Sequence, residues 1–287
     1  MNQTFANDRL STRLATLLLV AALVALGAAC GGGEEAAPAA AGDAEAPAPS
    51  AAGGEAAADL EPGNSAVDGL GDGSATVSGT ITFAGTVPTL RPVAMDADPQ
   101  CAGKHDAPVP NQVLWLGDGN TMGNVYVQVK SGLAEKEWPA PTAPAVIDQE
   151  GCIYHPHVMG VIAGQPLVFL NSDELLHNVH GLPQQNREFN LGMPATVHRT
   201  EVELGTPEPV FQVKCDVHPW MQAYVAVMAH PYFDTTGEDG RFEIRNLPAG
   251  TYEIEAWHER LGTQTATVTI EDGGTATSDF TFTTPQS

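Results

Sequence analysis

Short runs of alternating apolar and polar residues, broken by turn residues, most limit what this chain can fold into. They begin near residue 76 and are rich in Val, Ile, Thr, Phe and Tyr, which favour strands. This spacing predicts an all-β sandwich or barrel, with no helix of three turns and at most a short turn at residues 133–138. The predicted strands are Thr76–Phe83, Asn124–Lys130, Pro166–Asn171, Pro209–Lys214, Ala223–Met228, Arg241–Ile244, Tyr252–Trp257 and Thr265–Ile270.

The first residues have the pattern of an export signal. Two arginines precede an apolar run at residues 14–26, which is too short for an ordinary membrane span and is followed by small residues and Cys30. This resembles a bacterial lipoprotein signal, although Gly27 stands where Leu is usual. The resemblance implies a signal peptide at residues 1–29, a lipidated Cys30 and a location in the periplasm or outer cell envelope. The alternative is an ordinary secretory signal that is cleaved nearby.

Residues 30–75 have the composition of a flexible acidic linker. Ala, Gly, Pro, Glu and Asp dominate the segment, which contains no Lys or Arg. Such a sequence cannot bury enough apolar surface to offset the entropy lost on ordering. We therefore expect a tether, and contact with the membrane only through the lipid anchor.

The net charge of the chain limits the classes of partner that it can bind. Its 12 Lys and Arg residues face 35 Asp and Glu residues, for a formal net charge of -23. This balance makes nucleic acid a poor partner. An acidic surface can steer an electron-transfer protein towards a basic redox partner, but it also serves solubility.

Four residues form a candidate metal-ligand set. Cys215, His218 and Met221 lie within seven residues of one another, and His177 lies upstream. Two His, one Cys and a weak axial Met are the ligands of a blue-copper electron-transfer site, whereas zinc gains little from a thioether. The sequence therefore predicts one type 1 copper ion.

The spacing Cys-x2-His-x2-Met resembles the ligand loop of the amicyanin-like cupredoxins, and residues 176–180 resemble their segment around the first His ligand. The resemblance implies a Greek-key β-sandwich in which His177, Cys215 and His218 are the trigonal ligands and Met221 is the axial one. It also implies that Asn178 braces the two ligand loops. His218 would be the electron port, beneath an apolar patch formed by Met193, Pro194, Pro219 and Trp220.

The last third of the chain resembles a second β family. Residues 235–252 read as a turn, a Gly-x-Phe strand, a Leu-Pro-x-Gly turn and a Tyr strand, as in the carboxypeptidase-regulatory or transthyretin-like sandwich. Matching first strands appear before the metal-ligand segment. We therefore expect a cupredoxin unit at residues 143–231, combined with a split regulatory-like sandwich at residues 76–142 and 232–287.

The cysteines of the chain leave one candidate disulfide pair. If Cys30 carries lipid and Cys215 binds copper, Cys101 and Cys152 remain in an oxidising compartment, where an unpaired thiol is a liability. We predict a disulfide between them that joins the sandwich to the copper unit.

The resulting hypothesis is a monomeric, non-enzymatic protein that passes single electrons to a redox partner, such as a c-type cytochrome or an oxidoreductase. Two alternatives stay open: a copper-binding or delivery protein, and an envelope binding module in which copper is structural. A multicopper enzyme is disfavoured because the sequence contains one copper loop. The other histidines are expected to be packed or hydrogen-bonded, namely His155, His157, His180, His230 and His258.

Overall fold

A computed structural model describes residues 60–284, and the expected all-β class is confirmed there. The signal peptide, Cys30 and much of the predicted linker lie outside the described residues. Within residues 60–284, no helix has the length and apolar character needed to span a membrane. The strands are β1 (Ala75–Ala84), β2 (Tyr126–Ser131), β3 (Ala145–Glu150), β4 (Ile153–His155), β5 (Val158–Ile162), β6 (Pro166–Asn171), β7 (His177–Gly181), β8 (Phe189–Met193), β9 (Arg199–Glu203), β10 (Glu208–Lys214), β11 (Gln222–Met228), β12 (Phe233–Thr235), β13 (Arg241–Leu247), β14 (Gly250–His258), β15 (Gly262–Ile270), β16 (Thr275–Thr277) and β17 (Phe280–Thr283).

Helical structure in the described residues is brief. The α-helix α1 (Pro99–Ala102) has Asp98 as its N-cap, and Asp-Pro is a common way to start a helix because Pro needs no amide partner at N1. Short 3-10 turns cover Ser65–Val67, Gln112–Leu114 and Asp118–Asn120. The short turn expected at residues 133–138 does not form; this stretch is irregular.

The first sandwich, which we call the split sandwich, takes its strands from both ends of the described chain. One sheet has the order β13-β1-β16, with β17 also paired to β1, and the other has the order β12-β2-β14-β15. Alternation along β1 buries Val77 and Ile81 on the inner face. Gly240 precedes β13 at φ 68°, and a Cβ there would lie 2.5 Å from a backbone oxygen of Ile81, so the turn requires glycine.

The second sandwich, which we call the inserted sandwich, is formed by residues 145–228. Its sheets have the orders β5-β11-β10-β7-β8 and β4-β3-β6-β9. Antiparallel pairing of β10 with β11 places Val213 opposite Ala223, both fully buried as residues flanking the ligand loop should be. β5 and β6 are apolar on both faces and pair in parallel with β11 and β3.

A segment between β1 and β2 packs on the inserted sandwich. We call residues 93–109 the cover segment. Its buried residues Met95, Cys101 and Val109 belong to the same apolar core as Phe169 and Val213. The cover segment therefore departs from the expected division, which placed all of residues 76–142 with the split sandwich.

Residues 60–74 are more ordered than the linker prediction allowed. The Asn64 side chain donates to the carbonyl of Gly160 at 2.9 Å, and the backbone of Gly63 pairs with Val146. Leu60 packs against a small apolar cluster of the inserted sandwich. These contacts bury enough apolar surface and form enough hydrogen bonds to order the end of the segment. The prediction of a flexible linker up to residue 75 is therefore wrong for its last part.

The two sandwiches share a mixed apolar and polar contact. Tyr126 and Phe233 of the split sandwich pack with Val158 of the inserted one. Beside them, His157 Nε2 lies 2.6 Å from Glu259 Oε1, and both side chains are buried. This hydrogen-bonded pair and the apolar cluster fix the two sandwiches against each other.

Candidate metal centre

The loop between β10 and β11 is closed by its own backbone. The N–H of Cys215 donates to the carbonyl of Met221 at 3.1 Å, and the N–H of Met221 donates to the carbonyl of His218 at 2.9 Å. The N–H of His218 points at Cys215 Sγ, at 3.4 Å. A tight loop of this kind holds the sulfur of Cys215 and the imidazole of His218 close together.

The remaining imidazole arrives from a neighbouring strand. β7 begins at His177 and pairs with β10 in an antiparallel register that sets Val213 opposite Gly181. That register brings the first residue of β7 level with the loop that follows β10. Residues 38 positions apart are thereby placed together by strand pairing.

Three predicted ligands converge. The Nδ1 atoms of His177 and His218 are 2.9 Å apart, and Cys215 Sγ is 3.9 Å from Nδ1 of His218. The three donor atoms all lie within 4.8 Å of one another, and the three residues are buried. Two imidazoles and one thiolate are the donor set that copper and zinc prefer.

Carboxylates occupy the far side of both rings. Asp173 Oδ2 is 3.0 Å from His177 Nε2, and Asp98 Oδ2 is 3.2 Å from His218 Nε2. Ionised carboxylates only accept hydrogen bonds, so each Nε2 carries a proton. The Nδ1 atoms then lie on the inner side of the two rings, 2.9 Å apart, where they can share a proton or bind a metal ion. The donor set therefore fits a metal ion.

The acidities of the two carboxyl groups support this tautomer. The pKa of Asp98 is lowered, first by the backbone N–H of Gln100 and then by His218. Burial acts to raise the pKa of Asp173, but hydrogen bonds from His177, Cys152 and Lys104 outweigh it and the pKa is lowered. Both groups are therefore anionic at neutral pH.

The thiol is tuned towards its ionised form. Burial acts to raise the pKa of Cys215, but the His177 ring and the backbone N–H groups of Asn178, Val217 and His218 outweigh burial, so the pKa is lowered. The thiolate is the form that binds metals. Burial likewise opposes the charged form of His177, but Asp173 and Cys215 together raise its pKa.

Asn178 connects the two ligand-bearing segments, as the cupredoxin resemblance implied. Its Oδ1 accepts from the backbone N–H of Asp216 at 2.6 Å and lies 3.4 Å from Cys215 Sγ. Its Nδ2 donates to Asn190 Oδ1 at 2.6 Å. The side chain thus ties β7, β8 and the loop after β10 together.

The fourth predicted ligand lies in the same core. Met221 is fully buried and is joined to Cys215 and His218 through the backbone of the loop. A second methionine, Met193, is buried opposite His177 in β8, where its Sδ accepts from Gln149 Nε2 at 3.0 Å. Met193 is therefore already engaged in the core.

Cys101 and Cys152 form a disulfide in the structure, and it lies beside the candidate centre. Cys101 Sγ is 3.6 Å from His218 Nε2, and Cys152 donates its backbone N–H to Asp173. The bond joins the cover segment to the inserted sandwich. Its proximity to the metal ligands was not foreseen.

The predicted electron port at His218 is covered by more than the apolar patch that was expected above it. His218 is 2% exposed, because Asp98 and Cys101 close its outer side. Of the four residues of the predicted apolar patch, Pro194 and Pro219 are exposed, whereas Met193 is fully buried and Trp220 is half-buried with its indole N–H bonded to the carbonyl of Cys152. Two further apolar side chains next to the candidate ligands in the sequence, Leu176 and Val217, are also exposed.

The remaining histidines have partners of other kinds. His180 bridges Asp216 and Glu188, at 2.8 and 2.9 Å. Nδ1 of His258 accepts backbone N–H groups that follow it, and burial lowers the pKa of both His230 and His258. His155 lies in β4, and His157 bonds Glu259 as described.

Sequence reasoning missed the two carboxylates. Asp173 precedes His177 by four residues, and an acidic residue so close to a candidate ligand was a usable signal. Asp98 is 120 residues from His218, so only the fold brings them together.

Comparison with known proteins gives partial matches. A model of the carboxypeptidase regulatory-like domain matches residues 219–283, a minor part of the chain that covers β11 to β17. No curated protein sequence is significantly similar to this chain. Such matches do not assign the chain to a family.

Three solved structures with local similarity are named as a copper-containing reductase, a cupredoxin and an amicyanin mutant. A copper-containing nitrite reductase (NirK) from Thermus scotoductus is 17% identical at a TM-score of 0.28, covering 34% of this chain and 25% of the reductase. A purple cupredoxin from Nitrosopumilus maritimus is 23% identical at a TM-score of 0.25, covering 29% of this chain and 99% of that protein. A mutant of amicyanin in its Cu(I) form is 20% identical at a TM-score of 0.26, covering 36% and 98%. The chain thus spans only a quarter of the length of the nitrite reductase.

Proposed function

We propose that this protein is an extracytoplasmic electron-transfer protein with one type 1 copper ion. His177, Cys215 and His218 would hold the ion, with Met221 as a weak axial ligand. The observation that carries the proposal is the buried convergence of two Nδ1 atoms and one thiolate, with both Nε2 atoms hydrogen-bonded to carboxylates.

Each part of the site has a task in this proposal. When bound, copper supplies a one-electron couple. The loop and β7 fix the ligand positions through backbone bonds, so little rearrangement accompanies a change of charge. The buried surroundings of Cys215 exclude water and protect its thiolate from oxidation.

The wider setting belongs to the same proposal. Cys30 would carry the lipid that tethers a monomeric domain outside the cytoplasm, and the protein would make or break no covalent bonds in a substrate. Its net charge of -23 favours a basic partner, such as a c-type cytochrome or another oxidoreductase. Electron exchange with such a partner should slow as salt is raised, because screening weakens the attraction.

Copper titration of the full-length protein tests the proposal. We expect one equivalent of Cu(II) to produce the intense visible absorption of thiolate-to-copper charge transfer and a reversible one-electron couple. C215S should abolish the colour, and H177Q should shift or weaken it. H180Q is the matched control, because His180 lies in the same strand but contacts carboxylates outside the cluster. A colourless wild-type complex, or colour that survives C215S, would exclude the proposal.

A further inference from the structure

The cover segment closes the outer side of His218. Asp98 Oδ2 lies 3.2 Å from Nε2, and Cys101 Sγ lies 3.6 Å from the same nitrogen. The ring of Trp220 packs against the imidazole, with centroids 5.1 Å apart. With His177 at its Nδ1 atom, these contacts leave His218 only 2% exposed.

The cover segment is firmly attached to the surroundings of the metal centre. Cys101 is bonded to Cys152, Lys104 Nζ reaches Asp173, and His105 Nε2 lies 2.7 Å from the carbonyl of Gly151. Gly151 and Cys152 form the short turn before β4, and the backbone N–H of Gly151 donates to the carboxylate of Asp173. The same carboxylate holds His177 through Nε2. A segment held at so many points is a fixed part of the site.

The carboxylate of Asp98 is itself fixed before it meets the ring. One oxygen, Oδ1, accepts from the backbone N–H of Gln100 at 2.8 Å and of Cys101 at 3.4 Å, as an N-cap does. The backbone N–H of Asp98 donates to the carbonyl of Met95. The second oxygen is thereby left free to accept from His218.

We infer that Asp98 is a positioning residue for the metal centre: it fixes the ring of His218 through Nε2, and the cover segment closes that ligand to solvent. This inference rests on the proposed copper function, for which His218 is a ligand. A carboxylate on the far nitrogen sets the tautomer and ring orientation and makes the imidazole a stronger donor. The stronger donor favours Cu(II) over Cu(I), and the closed ring slows the escape of the metal.

Three variants of the full-length protein test this role. D98N keeps an N-cap acceptor but loses the charge, and D98A loses both. D96N is the matched control, since Asp96 is exposed and lies two residues away. Circular dichroism checks that each variant is folded, and the intact mass of the protein checks that the disulfide has formed. If D98A is unstable, D98N still tests the role of Asp98.

The first measurement uses metal-free protein. Solvent exchange of the His218 ring N–H, followed by NMR, should be slow in the wild type and in D96N and at least about tenfold faster in D98N. The second uses copper: D98N should bind about 10–100-fold more weakly than D96N and have a higher reduction potential.

The outcomes separate this inference from the proposed function. A wild-type protein that binds no copper refutes the function, while ring exchange still tests whether Asp98 holds His218. Equal exchange, affinity and potential in D98N and D96N would overturn the role of Asp98 even if the copper site is present. Faster exchange together with weaker binding in D98N alone would support it.

Discussion

Asp173 joins several parts of the candidate metal centre. Its side chain is fully buried and accepts from the backbone N–H groups of Gly151 and Cys152, from His177 Nε2 and from Lys104. A buried carboxylate is tolerated only when its oxygens are saturated in this way. The residue therefore supports both the turn before β4 and the orientation of His177.

We expect D173N to weaken both the fold and the site. An amide would turn N–H groups towards N–H donors, which should lower the free energy of unfolding by about 3 kcal/mol. Copper affinity should fall about 10–100-fold, as for other residues that orient metal ligands. Denaturant unfolding of the metal-free protein and competition with a copper chelator measure the two effects.

E174Q is the control for this change, because Glu174 is the exposed neighbour. If D173N and E174Q have the same unfolding midpoint and copper affinity, Asp173 does not have this role.

Residue types in the sequence were enough to pick out the candidate ligands. Cys215, His218 and Met221 lie in one short motif, so their proximity follows from chain connectivity. Asp98 was not predictable, because its contact with His218 depends on the path of a segment between two strands of the other sandwich.

At the scale of elements, the site depends on one hairpin, one strand and one disulfide. The β10–β11 hairpin presents the loop, and β7 adds His177 in register. The disulfide closes a separation of 51 residues between α1 and the turn before β4. Without that bond, the cover segment would be held by a few hydrogen bonds and by Met95 and Val109.

Removing the disulfide should lower the free energy of unfolding, because the unfolded chain gains conformational freedom. For a loop of this length, the chain-entropy model gives about 4 kcal/mol for a C101A/C152A variant relative to wild type. Urea unfolding of both proteins in the metal-free, non-reducing state measures the difference. C215S serves as the control, since it removes a buried cysteine that takes part in no disulfide. An unfolding midpoint equal to that of C215S would contradict this expectation.

The strand pattern was predicted well because alternation is a local property. β1, β2, β10 and β13–β15 lie where the runs of Val, Ile, Thr and aromatic residues indicated. Short strands such as β4, β8, β9 and β16 carry little pattern of their own and were missed; pairing with neighbours creates them.

At the scale of the whole molecule, a buried hydrogen-bonded network joins the two sandwiches. His157 Nδ1 lies 3.0 Å from the carbonyl of Gln222, and its Nε2 lies 2.6 Å from Glu259. Tyr224 donates its hydroxyl to the other oxygen of Glu259 at 2.9 Å. Burial acts to raise the pKa of Glu259, but the hydrogen bonds from His157 and Tyr224 outweigh it and the pKa is lowered.

This network should make the free energy of unfolding depend on pH. Because the pKa of Glu259 is lower in the folded protein, its contribution is complete above the unfolded value of about 4.3 and is lost as the pH falls through the folded value. E259Q should lower the free energy of unfolding by about 1–3 kcal/mol at pH 6, since the buried side chains of His157 and Tyr224 lose the carboxylate that accepts their hydrogen bonds.

The difference between wild type and E259Q should shrink as the pH falls below about 4. Denaturant unfolding between pH 3 and pH 6 measures it, with E271Q as the control, because Glu271 is exposed in the same sandwich. A difference that stays constant over this range would show that the charge of Glu259 does not support the contact.

Local pattern and composition determined the all-β class, the main strands and the residue types of the candidate metal centre, because strand alternation and the choice of ligand residues are properties of short stretches of chain. The tertiary structure alone decided that the cover segment lies over His218, that the disulfide borders the centre and that Glu259 meets His157. Those contacts join residues about 100 or more positions apart, and no short stretch of sequence specifies which distant residues the packing of two sandwiches will bring together.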